Sequence, residues 1–184
     1  MRRPAHAADR LPIRRLQVLP FAGVDPADVA DIVAALKERI GAVTVDAVVA
    51  MPLAMYDARR HQFRAEALLG LLDGSSDGHV LGLTARDLYA DGLNFVFGVA
   101  DPRRRAAIVS LARLGRGMQP SAYRARAMKE VMHELGHTVG LAHCDDPHCV
   151  MHFSNSLADT DVKSDRFCAA CRATLSRAMQ RAQR

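Results

Sequence analysis

Apolar positions along this chain change their spacing several times, and each change marks an element. RLQVLPF at 15–21 reads as a short strand. From Asp25 the pattern becomes helical, with Val29, Ile32, Val33, Leu36 and Ile40 sharing one face of DPADVADIVAALKERIG. Asp25 suits the N-cap, Pro26 the first turn and Gly41 the position past the end. AVTVDAVVAMPL at 42–53 is rich in β-branched residues and predicts a second strand. Residues 57–72, DARRHQFRAEALLGLL, predict a second amphipathic helix, closed by the turn-forming DGSSDG. Strands are expected again at HVLGLT (79–84), LNFVFGVA (93–100) and AAIVSLARL (106–114). Past the loop GRGMQP, the good helix formers of SAYRARAMKEVMHELGHTVG predict a long helix over 121–140. No regular structure is then expected until about Arg166, where RFCAACRATLSRAMQRAQ predicts a terminal helix.

Strand–helix–strand–helix followed by strands fits an α/β architecture, a mixed sheet carrying helices. With 184 residues the chain has room for one core and two lobes. The expected division is a flexible arm at 1–13, an upper lobe at 14–140 that includes the long helix, and a C-terminal lobe at 141–184. No run of 18 apolar residues is present, so no membrane-spanning helix is expected. MRRPAHAADRLPIRRLQ has charge but no apolar centre, a poor secretory signal, and the cytoplasm is the expected compartment. There, four cysteines favour metal ligation over disulfides. Net charge is +5, and among the 25 cations only Lys37, Lys129 and Lys163 are lysine. The arginine clusters lack interleaved aromatics, which argues against a nucleic-acid partner.

HELGHTVGLAHCDDPHC, from His133 to Cys149, concentrates the chemistry. His133 and His137 lie four apart on the expected helix, so both imidazoles project from one face and grip one ion. Glu134, next to the first ligand, reaches a water held by the metal rather than the metal itself. Gly140 lets the chain turn at the helix end, and His143 folds back as a third ligand. Three nitrogens leave a fourth tetrahedral position for water, the arrangement of a catalytic zinc. Glu134 is then the general base. Cys144 and Cys149 are separated by four residues, Cys168 and Cys171 by two, both within the spacing of structural zinc ligands. His148 and His152 compete for a place in that set, and two disulfides are the alternative to it. Seven ligands divide into a three and a four, so two Zn2+ per chain are expected.

At these residues the sequence resembles the archaemetzincins, a branch of the metzincin clan of zinc peptidases. Their signature continues HExxHxxGxxHC through four residues, C-x-M, about seventeen residues and CxxC. This chain reads HELGHTVGLAHC, DDPH, CVM, sixteen residues and CAAC over 133–171. The gap after Met151 is one residue short, which a loop absorbs. The resemblance implies a metzincin-like fold: a twisted, mostly parallel sheet with helices, a cleft, and a small zinc-stapled lower lobe. It implies that Met151 lies beneath the three imidazoles in the clan's Met-turn. It also implies that Asn94, Phe95, Val96, Phe97 and Gly98 form the edge strand that receives a peptide substrate. The activity implied is peptide-bond hydrolysis by a monomer, with an aminopeptidase on short peptides as one form. A two-zinc binding module with little hydrolysis is the alternative.

Overall fold

The structure, a computed structural model, describes residues 10–74, 78–115 and 119–182. The DGSSDG turn, the GRGMQP loop and the N-terminal arm fall partly outside the described residues. In chain order the elements are β1 (Arg15–Pro20), α1 (Pro26–Lys37), β2 (Ala42–Val45), β3 (Tyr56–Asp57), β4 (Gln62–Arg64), α2 (Ala65–Leu69) and β5 (Gly78–Thr84). There follow β6 (Leu88–Tyr89), β7 (Gly98–Asp101), β8 (Ala106–Ser110), α3 (Pro120–Thr138), α4 (Leu157–Val162) and α5 (Ala169–Ala182). A five-stranded sheet has the order β2-β1-β5-β8-β7, all parallel except β7, which runs antiparallel to β8 at the edge. A smaller three-stranded sheet has the order β3-β4-β6.

Strand side chains alternate between two faces, and both faces are covered. Leu16, Val18, Leu81, Leu83, Ala107 and Val109 pack toward α1 and α3, in a core that also takes in Val131, Met151, Phe167 and Leu175. The segment after α3 therefore shares the main core. Val80 and Ile108 point the other way, onto Phe63, Leu68 and Leu72. Asp25 caps α1 as its position predicts, its carboxylate accepting from the Ala27 amide at 2.8 Å.

Five expectations are corrected. Residues 57–72 are not one helix but the β3–β4 hairpin followed by the short α2. Asp57 Oδ1 accepts from the Arg59 and Arg60 amides at 2.9 and 3.2 Å, and His61 takes φ 56°, so the chain turns where a helix would continue. The strand expected over 42–53 is only β2, with one further bridge between Phe21 and Val49. Its β-branched residues are largely unpacked, Val48 being 67% exposed. The strand expected from 93 begins only at Gly98. Leu11 and Ile13, placed in the flexible arm, are buried in the core. α4 was not expected; its cap is Ser156, whose hydroxyl accepts from the Asp159 amide at 3.3 Å.

Candidate active site and metal centres

α3 carries much of the site on its buried face, and Gly140 at φ 89° turns the chain away at its end. The Nδ1–H of His133 donates to the Val150 carbonyl and that of His137 to the Leu141 carbonyl, each at 2.8 Å. A carbonyl only accepts, so both rings are fixed with Nε2 as the free lone pair. Those two Nε2 atoms converge to 3.1 Å, and His143 completes a set whose ligand atoms lie within 4.8 Å of one another. Two bare lone pairs that close suit a shared cation. Nitrogens at about 2.0–2.1 Å from a tetrahedral zinc stand roughly 3.4 Å apart, so the residues fit the ion. Burial, then the charge of Lys163, pushes His133 down to about 2. His137 and His143 are lowered as well, chiefly by burial. The three rings are therefore neutral, as ligands must be.

Glu134 is buried beside the first ligand and packed against the edge strand. A Cβ at Gly98 would stand 2.6 Å from Glu134 Cγ and 2.8 Å from its Oε1, so only glycine allows this approach. Gly136 plays the same part below. A Cβ there would meet the Met151 sulfur at 2.4 Å, which places that thioether against α3 between the turns bearing His133 and His137.

The four cysteines form the second cluster. Cys144 and Cys168 sulfurs are 3.7 Å apart, as are those of Cys149 and Cys171. A disulfide needs about 2.05 Å, whereas thiolates at about 2.3 Å from a tetrahedral zinc stand roughly 3.8 Å apart. The set thus fits a closed zinc site. Burial works to raise Cys168, yet the Cys171 amide and the neighbouring thiols outweigh it and bring it down to about 7. The competing histidines stay outside: His152 Nδ1 donates to the Cys144 carbonyl at 2.9 Å, and His148 Nδ1 faces the Val162 carbonyl.

A cavity of about 240 Å³ opens beside His133 and Glu134, lined also by the segment 92–98 and by Phe153, Ser154 and Asn155. The expected edge-strand residues Asn94, Phe95, Val96, Phe97 and Gly98 all line it. Only Gly98 belongs to β7. Arg60 Nη2 donates to the Leu93 and Asn94 carbonyls at 2.8 and 3.0 Å, and Gln62 Nε2 donates to Asn94 O and Asp87 Oδ2, each at 3.0 Å. Asp87 also receives Arg113, whose guanidinium lies 4.5 Å above the Phe95 ring. Val96 spends its amide on the Leu88 carbonyl. The Phe97 carbonyl accepts from Ser110, so the alternation of an antiparallel ladder turns the Gly98 amide and carbonyl outward at the sheet edge.

Two further groups at the site were not anticipated. Glu130, one turn before Glu134 and on the same face, lines the cavity, and Lys163 Nζ pairs with its Oε1 at 3.0 Å. Their side chains are 3% and 0% exposed. The four-residue spacing of Glu130 and Glu134 was a usable signal for the first. Nothing in TDVKSD marks Lys163 as buried.

A family model described as peptidase family M54 matches residues 30–177. The chain belongs to this family. The archaemetzincin of Methanopyrus kandleri is 48% identical over 149 residues, spanning 79% of this chain and 85% of the relative. That of Methanocaldococcus jannaschii is 39% identical over 168 residues, spanning 86% and 91%. The crystal structure of the M. kandleri archaemetzincin has a TM-score of 0.80 at 41% identity and covers 92% of this chain and 97% of its own. An Archaeoglobus fulgidus archaemetzincin complexed with malonate has a TM-score of 0.80 at 36% identity, covering 88% and 99%. This M54 chain is accordingly a zinc-dependent metallopeptidase of archaemetzincin type, with a mixed α/β fold.

Proposed function

We propose that the protein hydrolyses short peptides at His133, His137 and His143, with Glu134 as general base, and holds a second, structural zinc on Cys144, Cys149, Cys168 and Cys171. The observation that carries this reading is the convergence of three imidazoles, two of them fixed with Nε2 as the free lone pair, beside a buried carboxylate packed against the edge strand. Zinc at the histidines supplies Lewis-acid polarisation of the scissile carbonyl and lowers the pKa of water to about 7. Glu134 takes the proton of the attacking water and returns it to the departing amine nitrogen. Gly98 offers its outward amide and carbonyl to an extended substrate backbone, which thereby adds to the sheet at β7. Asn94, Phe95, Val96 and Phe97 line the path as a shaped rim rather than as a hydrogen-bonding strand. Met151 supports the histidines from below.

Its four thiols suit a reducing compartment, the cytoplasm, and one chain supplies every group the site needs. Of the short-peptide activities, removal of an N-terminal residue is the form tested first. A peptide-library digest beside a Glu134→Gln control, with elemental analysis of the same samples, tests the whole reading. Cleavage that depends on Glu134 and two zinc ions per chain are expected. Equal products with and without the carboxylate would overturn it.

A further inference from the structure

Glu130 and Ser154 line the cavity with polar side-chain atoms that are shielded from solvent and that the chemistry at Glu134 leaves unused. Lys163 Nζ and Thr160 Oγ1 both address Glu130 Oε1, at 3.0 and 2.9 Å. Oε2 accepts no hydrogen bond among the described residues, on the wall of the cavity that Glu130 lines. On another residue that lines the same cavity, the Ser154 hydroxyl is shielded from solvent and has no partner among the described residues. Buried polar groups left unmatched are costly, and a ligand that matches them is selected strongly.

The complement can be read from donor and acceptor roles. A carboxylate oxygen only accepts, so its partner must donate. A serine hydroxyl left with an acceptor donates. One group that donates on one side and accepts on the other satisfies both: a carboxamide. Charge agrees, because Lys163 already neutralises Glu130. An ammonium would bring an uncompensated charge next to a metal centre, and a carboxylate would do the same while setting acceptor against acceptor at Oε2. Phe95 and Phe153, which also line the cavity, suit the methylenes of the same side chain.

We propose that Glu130 and Ser154 form a specificity pocket that selects a carboxamide side chain, glutamine or asparagine, in the substrate residue adjoining the scissile bond. This rests on the peptidase reading above, and the test separates the two. Otherwise identical peptides carry Gln, Met, Glu or Lys in turn at either side of the cleaved bond. Their affinities are measured by calorimetry on zinc-loaded Glu134→Gln protein, and their turnover on the wild type. Gln is expected to bind about tenfold or more tighter than isosteric Met, and tighter still than Glu or Lys. Glu130→Gln places an N–H where Oε2 stood while its carbonyl still receives Lys163, so the Gln preference is expected to vanish and the Glu peptide to gain. Ser154→Ala loses no intramolecular partner, so its melting temperature is expected to hold while the Gln preference drops about threefold. Equal affinities for the four peptides, no measurable binding, or selectivity untouched by both substitutions would overturn the pocket. Selective binding without turnover by the wild type would leave the pocket standing and overturn the peptidase reading instead.

Discussion

Glu134 is the residue on which the proposed chemistry turns, and its surroundings set its proton affinity. Burial, with the charge of Glu130 second and Lys163 in opposition, pushes it up to about 8 in the metal-free protein. A group poised near neutrality exchanges protons efficiently at working pH. Glu134→Gln keeps the shape and removes the base, so kcat is expected to fall by about 10²- to 10⁴-fold with zinc content unchanged; activity within tenfold of wild type would reject Glu134 as base. The same shift makes a stability prediction. Between 4.5 and about 8 the folded, metal-free protein holds a proton that the unfolded chain has released. Glu134 therefore costs stability as pH rises, about 1.4 kcal/mol for each pH unit in that window. His133 acts in the opposite sense: neutral in the fold down to about 2, it charges on unfolding below 6.5, so its contribution is lost as pH falls. The histidines are common to wild type and Glu134→Gln and cancel in the difference. Urea denaturation of both, stripped of the histidine-site metal, should show the variant gaining on wild type by several kcal/mol between pH 5 and pH 8. A difference independent of pH would mean that Glu134 is not buried as described.

The elements around the cleft differ in how far their residues announce them. α1 and α3 were legible because caps and apolar period agree: Asp25 and Pro26 open the first, and the histidine spacing has meaning only on a helix. The hairpin at 56–64 was not, because Phe63, Ala65, Leu68 and Leu69 are buried against the sheet at intervals that imitate a helical stripe. What breaks the helix is local side-chain chemistry at Asp57 and a left-handed His61. The two groups of candidate metal ligands, three histidines and four cysteines, come together as their spacing suggests, because that spacing is itself the constraint. Arg60, Gln62 and Lys163 were not, since their partners lie 11 to 34 residues away in the chain. These distant partners lead to two expectations. Arg60→Ala frees the Leu93 and Asn94 carbonyls and loosens the rim without touching Glu134. KM is therefore expected to rise about three- to tenfold with kcat within about twofold; a fall in kcat alone would place Arg60 elsewhere in the mechanism. Lys163→Met strands the Glu130 carboxylate in the interior and is expected to cost about 3–5 kcal/mol. Glu130→Leu with Lys163→Met removes both charges and should recover much of that loss, as read by urea midpoints.

For the molecule as a whole, two centres of opposite design meet in neighbouring residues, His143 and Cys144. The cysteine cluster joins the loop after α3 to the start of α5, two parts of the core linked along the chain only through the short α4 and its flanking loops. In the proposed reading, zinc bound there would contribute its binding energy to folding. It also fixes Cys144, whose amide donates to the Met151 carbonyl at 3.0 Å, and so holds His143 and the Met-turn in place together. The histidine centre hangs on that frame and borders the open cavity, with three neutral candidate ligands whose protonation would release a metal. Mild chelation, or a fall to about pH 5–6, is expected to remove the histidine metal first, because a chelator reaches an open site and imidazole competes for protons there. Activity should then vanish while circular dichroism and most of the thermal transition persist, and zinc alone should restore turnover. Harsher chelation, or Cys168→Ser, should take the second ion and the fold together. Following metal release with a colorimetric indicator alongside the unfolding signal decides the matter: two separated steps are expected, only the later one coinciding with unfolding. Loss of both ions in a single step, with structure and activity disappearing together, would show that the two centres are not separate in function.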